Sequence, residues 1–273
     1  AETGYIPQAV VPRTARALEL RGPRAVVGDY ARWGTGVLAG MPHSLRGNSG
    51  RFTFEGAEYP YLYHRYKFTW VTERAVEVPI AQARVDAMNG ARILEVGNVL
   101  SHYRPQNHQI VDKYEQMPGV LNRDVLDLAD LGLFDLIVAV STLEHVGRDE
   151  EPRDPSKAID AVRRLRSSLT PGGRLLLTVP IGYHTGLDDA LRTGVVSVTG
   201  LAAMRRERMG PHWRQVPPET VWGTPYDFLL YSARAVVISD RNSANRSRAS
   251  ESHLVSGVGN VKSPNRCQNG ATA

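Results

Sequence analysis

Several side chains able to bind a ligand or move a proton stand where apolar runs end. Glu95, Gly97, Asn98 and Ser101 close RILEV (92–96), and Asp112 closes HQIVD (108–112). Ser141 to His145 follow FDLIVAV (134–140), and Pro180 to His184 follow RLLLTV (174–179). A carboxylate at Glu95 can face a cationic amine. Asp112 can accept hydrogen bonds from sugar hydroxyls, and His145 is of the residue type that most often serves as a general base. Gly97 can supply the tight turn that brings backbone close to a ligand. No histidine pair sits at helical ligand spacing with a carboxylate, so no metal site is expected. The only cysteine, Cys267, excludes a cysteine-based zinc site and an internal disulfide.

The elements needed to hold these groups are legible. The four apolar runs read as buried strands. Between the last two, DPSKAIDAVRRLRSSLTPGG has helical spacing: Ala158, Ile159, Val162, Leu165 and Leu169 share a face, with Arg163, Arg164 and Arg166 largely off it. Pro155 suits a first helical turn, and Pro171-Gly172-Gly173 predicts a stop. SHYRPQNH reads as a loop or short helical turn, and RAVVIS (234–239) as a further strand. Alternating strands and helices predict an α/β fold with a doubly wound, mostly parallel sheet. Ligands bind at the carboxyl ends of strands in such sheets, where the polar residues above fall.

A pyrophosphate-binding turn needs three glycines, and only Gly97 is present. A nicotinamide oxidoreductase is therefore disfavoured. A ligand without phosphate needs only one tight turn. An adenosine bearing an amino-acid arm and no phosphate is S-adenosyl-L-methionine.

Five motifs in order resemble a class I S-adenosylmethionine-dependent methyltransferase of the broad type 11 group, over about residues 90–182. ARILEVG resembles the first motif, and IVDKYE the acid of the second strand. NRDVLDL resembles the segment beside the adenine. FDLIVAVSTLEHVG resembles the fourth-strand motif, and SSLTPGGRLLLTVP the helix-to-strand turn. The resemblance implies a Rossmann-like methyltransferase fold with an antiparallel insertion among residues 200–240. It implies cofactor contacts at Glu95, Gly97, Asn98, Asp112, Asp124, Val125 and Ser141, with Asp112 as the ribose ligand. Glu115 would restore the usual spacing of about 20 residues but lies beyond the strand. Ser141 lies near the methionine end of the cofactor or caps a helix. His145 is the candidate base for a hydroxyl acceptor, or a structural start to the next helix. His102, Tyr103, Tyr183 and His184 share that rim. A narrower set of bacterial and archaeal methyltransferase-like proteins has a similar aromatic extension, resembling YPYLYHRYKFTWVTERAVEVP here. Its His64, Tyr66, Trp70 and Arg74 cover the cofactor mouth or form a hydrophobic cluster sealing the sheet edge.

Composition frames the rest. RFTFEGAEYPYLYHRYKFTW alternates like strands, and a helix should end near Asn89-Gly90. Residues 1–50 offer only TARALEL as a helical stretch. Residues 1–88 are thus expected to form an extension or cap, 89–240 the methyltransferase domain, and 241–273 a disordered basic tail. The tail holds Arg241, Arg246, Arg248, Lys262 and Arg266 against Glu251, which accounts for most of the net charge of +5. The nearly neutral body argues against a nucleic-acid surface. No apolar run is long enough to span a membrane. The opening AETGYIPQAVVPR lacks the layout of a secretory leader, so a cytoplasmic enzyme is expected. Its expected partner is a small-molecule or glycan-linked acceptor, methylated at oxygen. A non-catalytic binding or scaffold protein of the same fold is the alternative.

Overall fold

The computed structural model describes residues 10–46, 50–230 and 232–241. Cys267 and the basic tail beyond Arg241 lie outside them. Two helices come first, α1 (Val10–Arg21) and α2 (Pro23–Arg46). A hairpin follows, β1 (Arg51–Phe54) and β2 (Ala57–Pro60), then α3 (Arg74–Asp86). Strands β3 (Ile93–Val96), β4 (Gln109–Val111), β5 (Val120–Leu121) and β6 (Phe134–Val140) lead to α4 (Lys157–Ser167). The rest is β7 (Leu169–Pro180), α5 (Thr185–Thr193), β8 (Thr199–Arg208), β9 (His212–Val216) and β10 (Ala235–Arg241).

The eight-stranded sheet has the order β5-β4-β3-β6-β7-β10-β8-β9. Strands β5 to β7 run parallel, while β10 is antiparallel to both β7 and β8. The chain winds outward from β3 to β5, then returns to place β6 on the other side of β3. This is the doubly wound, mostly parallel sheet the sequence predicts, and its antiparallel β10 is the insertion expected of the class I methyltransferase fold. Covered strands must be apolar on both faces. Ile137 and Ala139 of β6 accordingly pack with Ala158, Val162 and Leu165 of α4. Leu136, Val138 and Val140 pack the other way, with α3 and the hairpin.

Two predicted boundaries move. Pro155 lies ahead of α4, which begins at Lys157, and Ile159 is only partly buried. The Pro171-Gly172-Gly173 segment is not the helix stop, because α4 ends at Ser167 and β7 already begins at Leu169. The glycines instead serve an irregular strand pairing, where the register shifts between Phe134 and Leu136. A Cβ on Gly173 would lie 2.8 Å from the Phe134 carbonyl oxygen. Among the described residues, no helix is long and apolar enough to cross a membrane.

Candidate functional site

The loops after β3 and β6 meet at the point where the strand order reverses. Gly97 has φ of +82° and donates its amide to the Val111 carbonyl at 2.8 Å. A Cβ there would fall 2.2 Å from Thr142 Oγ1, so glycine alone permits this approach. The predicted turn at Gly97 is present.

Glu95 has a different role from the one expected. Its side chain is fully buried, with Oε1 accepting the amides of Val99 (2.8 Å) and Leu100 (2.7 Å). Its Oε2 lies 2.8 Å from Nε2 of the buried His108. The carboxylate braces the turn from beneath and does not face outward toward an amine. This explains how the loop closes without further glycines: side-chain acceptors fix amides that a phosphate would otherwise hold. Asn98 belongs to the same brace. Its amide donates to Asp112 Oδ2 at 3.2 Å, and its Oδ1 accepts from Ser101 Oγ.

Asp112 stands at the end of β4 as predicted. Its Oδ1 accepts the amides of Tyr114 and Glu115, both at 2.8 Å. A carboxylate has about four acceptor sites, so capacity for a hydroxyl remains beside Oδ2. Glu115 pairs with His102 at 3.0 Å, and Tyr66 stacks on that imidazole with centroids 4.6 Å apart.

Asp124 and Val125 depart from expectation. Asp124 Oδ2 accepts from Lys157 Nζ (2.5 Å) and Lys113 Nζ (3.0 Å), and both lysines also reach Glu150. Partial burial opposes ionisation of Asp124, but Lys157, the Leu126 amide and Lys113 together hold its pKa down to about 2. Its carboxylate is therefore engaged in a four-charge network. Val125 points into the core with Val96 and Leu128. The two side chains fasten a loop to α4 and to the core.

Ser141 is not a helix cap, since α4 begins only at Lys157. Its φ of +41° lies in the left-handed region, and its buried Oγ sits 2.6 Å from Glu77 Oε1. Its amide points at Thr178 Oγ1, 3.0 Å away. Arg74 donates to the Val140 carbonyl at 3.0 Å and lies 3.7 Å from Glu77. Burial pushes the Glu77 carboxyl up to about 7 against the pull of Arg74. Glu144 is buried beside this group with Oε2 lacking any hydrogen-bond partner, and burial raises its pKa well above the ordinary range. Two acids whose ionisation is opposed by burial thus meet at the carboxyl end of β6.

His145 projects from the same loop, about two-fifths exposed, with Nδ1 2.6 Å from Asp149 Oδ2. Tyr183 donates its hydroxyl to that oxygen at 2.5 Å and meets the imidazole edge-on. Burial works against the Asp149 charge, but His145 and Tyr183 hold its pKa below the usual range. A carboxylate that orients one imidazole nitrogen leaves the other to take a proton.

The remaining rim candidates divide. Tyr103 joins the aromatic cluster of His64, Tyr66 and His102. His184 is buried and caps α5 by accepting the Leu187 amide at 3.0 Å. Trp70 is fully buried and donates to the carbonyls of Gly36 and Val37, so it anchors α2. Glu77 and Asp149, which the fold brings against Ser141 and His145, were not singled out in the sequence. Only Asp149 left a signal, its i,i+4 spacing from His145.

No protein-family model matches the chain, and no curated protein does. Solved structures that resemble it include the N-methyltransferase NodS from Bradyrhizobium japonicum, crystallised with S-adenosyl-L-homocysteine. That match has 14% identity and a TM-score of 0.35 over 63% of this chain and 91% of NodS. A SAM-dependent methyltransferase from Archaeoglobus fulgidus is 11% identical with a TM-score of 0.39, over 64% of this chain and 98% of that one. The sugar N-methyltransferase KedS8 from Streptoalloteichus is 15% identical with a TM-score of 0.32, over 71% and 99%.

Proposed function

We propose that this chain is a methyltransferase that uses S-adenosyl-L-methionine to methylate a hydroxyl of a small-molecule or glycan-linked acceptor. The observation that carries the reading is the Gly97 turn, set against Thr142 at the switch point of the sheet. Ligands of doubly wound sheets bind there. Gly97 and the backbone of Asn98 would line the methionine arm, and Asp112 would take the ribose hydroxyls. The cofactor supplies an electrophilic methyl group, so the protein's work is orientation and proton transfer. His145, held by Asp149, is placed to remove the hydroxyl proton, and Asp149 stabilises the imidazolium so formed. Tyr66, stacked on His102, would close one side of the cofactor mouth, while α3 packs beneath as part of the core.

Calorimetry with S-adenosyl-L-homocysteine tests the cofactor, and its release with hydroxyl acceptors tests the reaction. Gly97→Val should abolish binding while the far-ultraviolet circular dichroism is retained. Normal cofactor binding by that variant would refute the turn assignment. The bonds among Asn98, Ser101 and Met117 favour one rival, a scaffold whose loop fills its own pocket. Absence of both heat and thermal shift would support it.

A further inference from the structure

A cavity of about 700 Å³ lies beside the candidate site, lined in part by Leu20, Arg21, Arg148, Tyr226, Phe228 and Arg234. Small-ligand sites are commonly about 300–1,000 Å³. Its position on the sheet is informative. Residues 225–234 lead directly into β10, whose Val236 pairs with Pro180 at the carboxyl end of β7. The cavity therefore opens on the same edge as Gly97. A second cavity, about 500 Å³ and lined by Glu55, Gly200 and Pro217, lies toward the opposite edge.

The lining combines flat apolar surface with loosely partnered cations. Phe228 packs against Tyr226 with centroids 4.9 Å apart, and both reach Tyr183. Phe228 and Leu20 nevertheless remain exposed. Arg148 lies over the rings of Tyr183 (4.9 Å) and Phe228 (5.4 Å). Its ion-pair contact with Asp149 is a distant 3.9 Å, as is that of Arg234 with Asp227. Asp227 is the acid in the lining, and its Oδ1 already accepts the amides of Leu229 and Leu230. Arg21 is paired with Asp29. A guanidinium fork laid on aromatic faces suits a carboxylate carried by a planar ring. Tyr183 is the shared wall, since its ring also meets His145 at 4.7 Å.

We infer that this cavity anchors the acceptor, and that the acceptor is an aromatic acid: a hydroxylated ring whose carboxylate is held by Arg148 and Arg234. The inference rests on the methyl-transfer reading for its purpose, but the binding itself can be measured alone. The probes are 3,4-dihydroxybenzoate and its neutral isostere 3,4-dihydroxybenzamide, titrated calorimetrically into the full chain without cofactor. The benzoate should bind about tenfold more tightly, as a charge-assisted pair requires. Arg148→Gln and Arg234→Gln should each reduce that preference, and Phe228→Ala should weaken both probes alike. Melting curves confirm that each variant is folded. Equal affinity for the two probes, or a preference that survives both arginine changes, overturns the assignment. So does binding of S-adenosyl-L-homocysteine with no benzoate binding. Benzoate binding with the predicted arginine dependence but no S-adenosyl-L-homocysteine binding supports the cavity and refutes the methyltransferase reading instead.

Discussion

Substituting Gly97 by alanine isolates the contact on which the site depends. Two costs arise. An L-residue at φ of +82° loses about 1–2 kcal/mol to backbone sterics. The new methyl group also falls 2.2 Å from Thr142 Oγ1 and 2.6 Å from its Cγ2, and overpacking of that kind costs about 1–3 kcal/mol. Gly97→Ala should therefore destabilise the fold by about 2–5 kcal/mol. Thr142→Gly removes every atom in the clash. Alone it loses the 3.0 Å bond from Oγ1 to the Val140 carbonyl and loosens the backbone, about 1–2 kcal/mol together. The double variant should recover the overpacking share and keep the backbone share, leaving a coupling of about 1–3 kcal/mol. Urea unfolding followed by tryptophan fluorescence measures all three variants on one scale. Additivity within about 0.5 kcal/mol would show that the two loops do not touch, and the switch-point site would lose its geometric basis.

His145→Gln should lower kcat by about 10²–10⁴-fold with little change in KM, and flatten the acid limb of the pH profile; an unchanged profile would remove its role as base. Asp149→Asn should act in the same direction but retain part of the rate, because the imidazole stays while its orienting charge is lost. Glu77 makes the fold sensitive to alkali. Its pKa is raised to about 7, so the native state holds a proton that the unfolded chain releases at ordinary carboxyl pH. Its contribution is full below that range and lost as pH rises through about 7. Glu77→Gln should therefore lessen the fall in melting temperature between pH 5 and 8, and an equal fall in both proteins would contradict the buried-acid account. Lys157→Met should destabilise the protein by about 1 kcal/mol at neutral pH, with the difference shrinking in high salt and as pH falls through about 2, where Asp124 takes up its proton.

Sequence periodicity revealed the strands because β3, β6 and β7 are covered on both faces and therefore read as continuous apolar runs. It gave little of α2, where Gly28, Gly34, Gly36, Gly40 and Pro42 break any helical pattern. Those glycines have a tertiary purpose at one point. A Cβ on Gly40 would meet Trp70 at 2.2 Å, so the close approach of α2 to that indole is set by contacts between distant parts of the chain. The site shows the same division. The turn at Gly97 and the position of Asp112 at the end of β4 were legible because strand ends are local features. The roles of Glu95 and Asp124 were misjudged because each depends on a partner, His108 or Lys157, whose proximity no local pattern reveals. Glu77 stands in the first turn of α3, and only the fold places it against Ser141.

The distribution of charge around the site bears on catalysis under the proposed transfer. Methyl transfer from a sulfonium to an oxyanion destroys charge, so stabilising the separated ions more than the transition state would slow it. Ionised carboxylates close to the reacting centre would do that. Burial raises the carboxyls of Glu77 and Glu144, packed at the carboxyl end of β6, above the ordinary range, which opposes their ionisation there. Other acids of the region are committed to partners: Glu95 to loop amides and His108, Asp124 to two lysines, and Asp149 to His145. Cations cluster at the aromatic cavity, where Arg148 and Arg234 are part of the lining. Under the proposed reading such a layout would draw an anionic acceptor in on the side away from the buried acids. Replacing Glu144 by glutamine should then preserve most of the rate, whereas a change that introduced a fixed negative charge at Thr142, Thr142→Asp, should lower kcat more than it raises cofactor affinity.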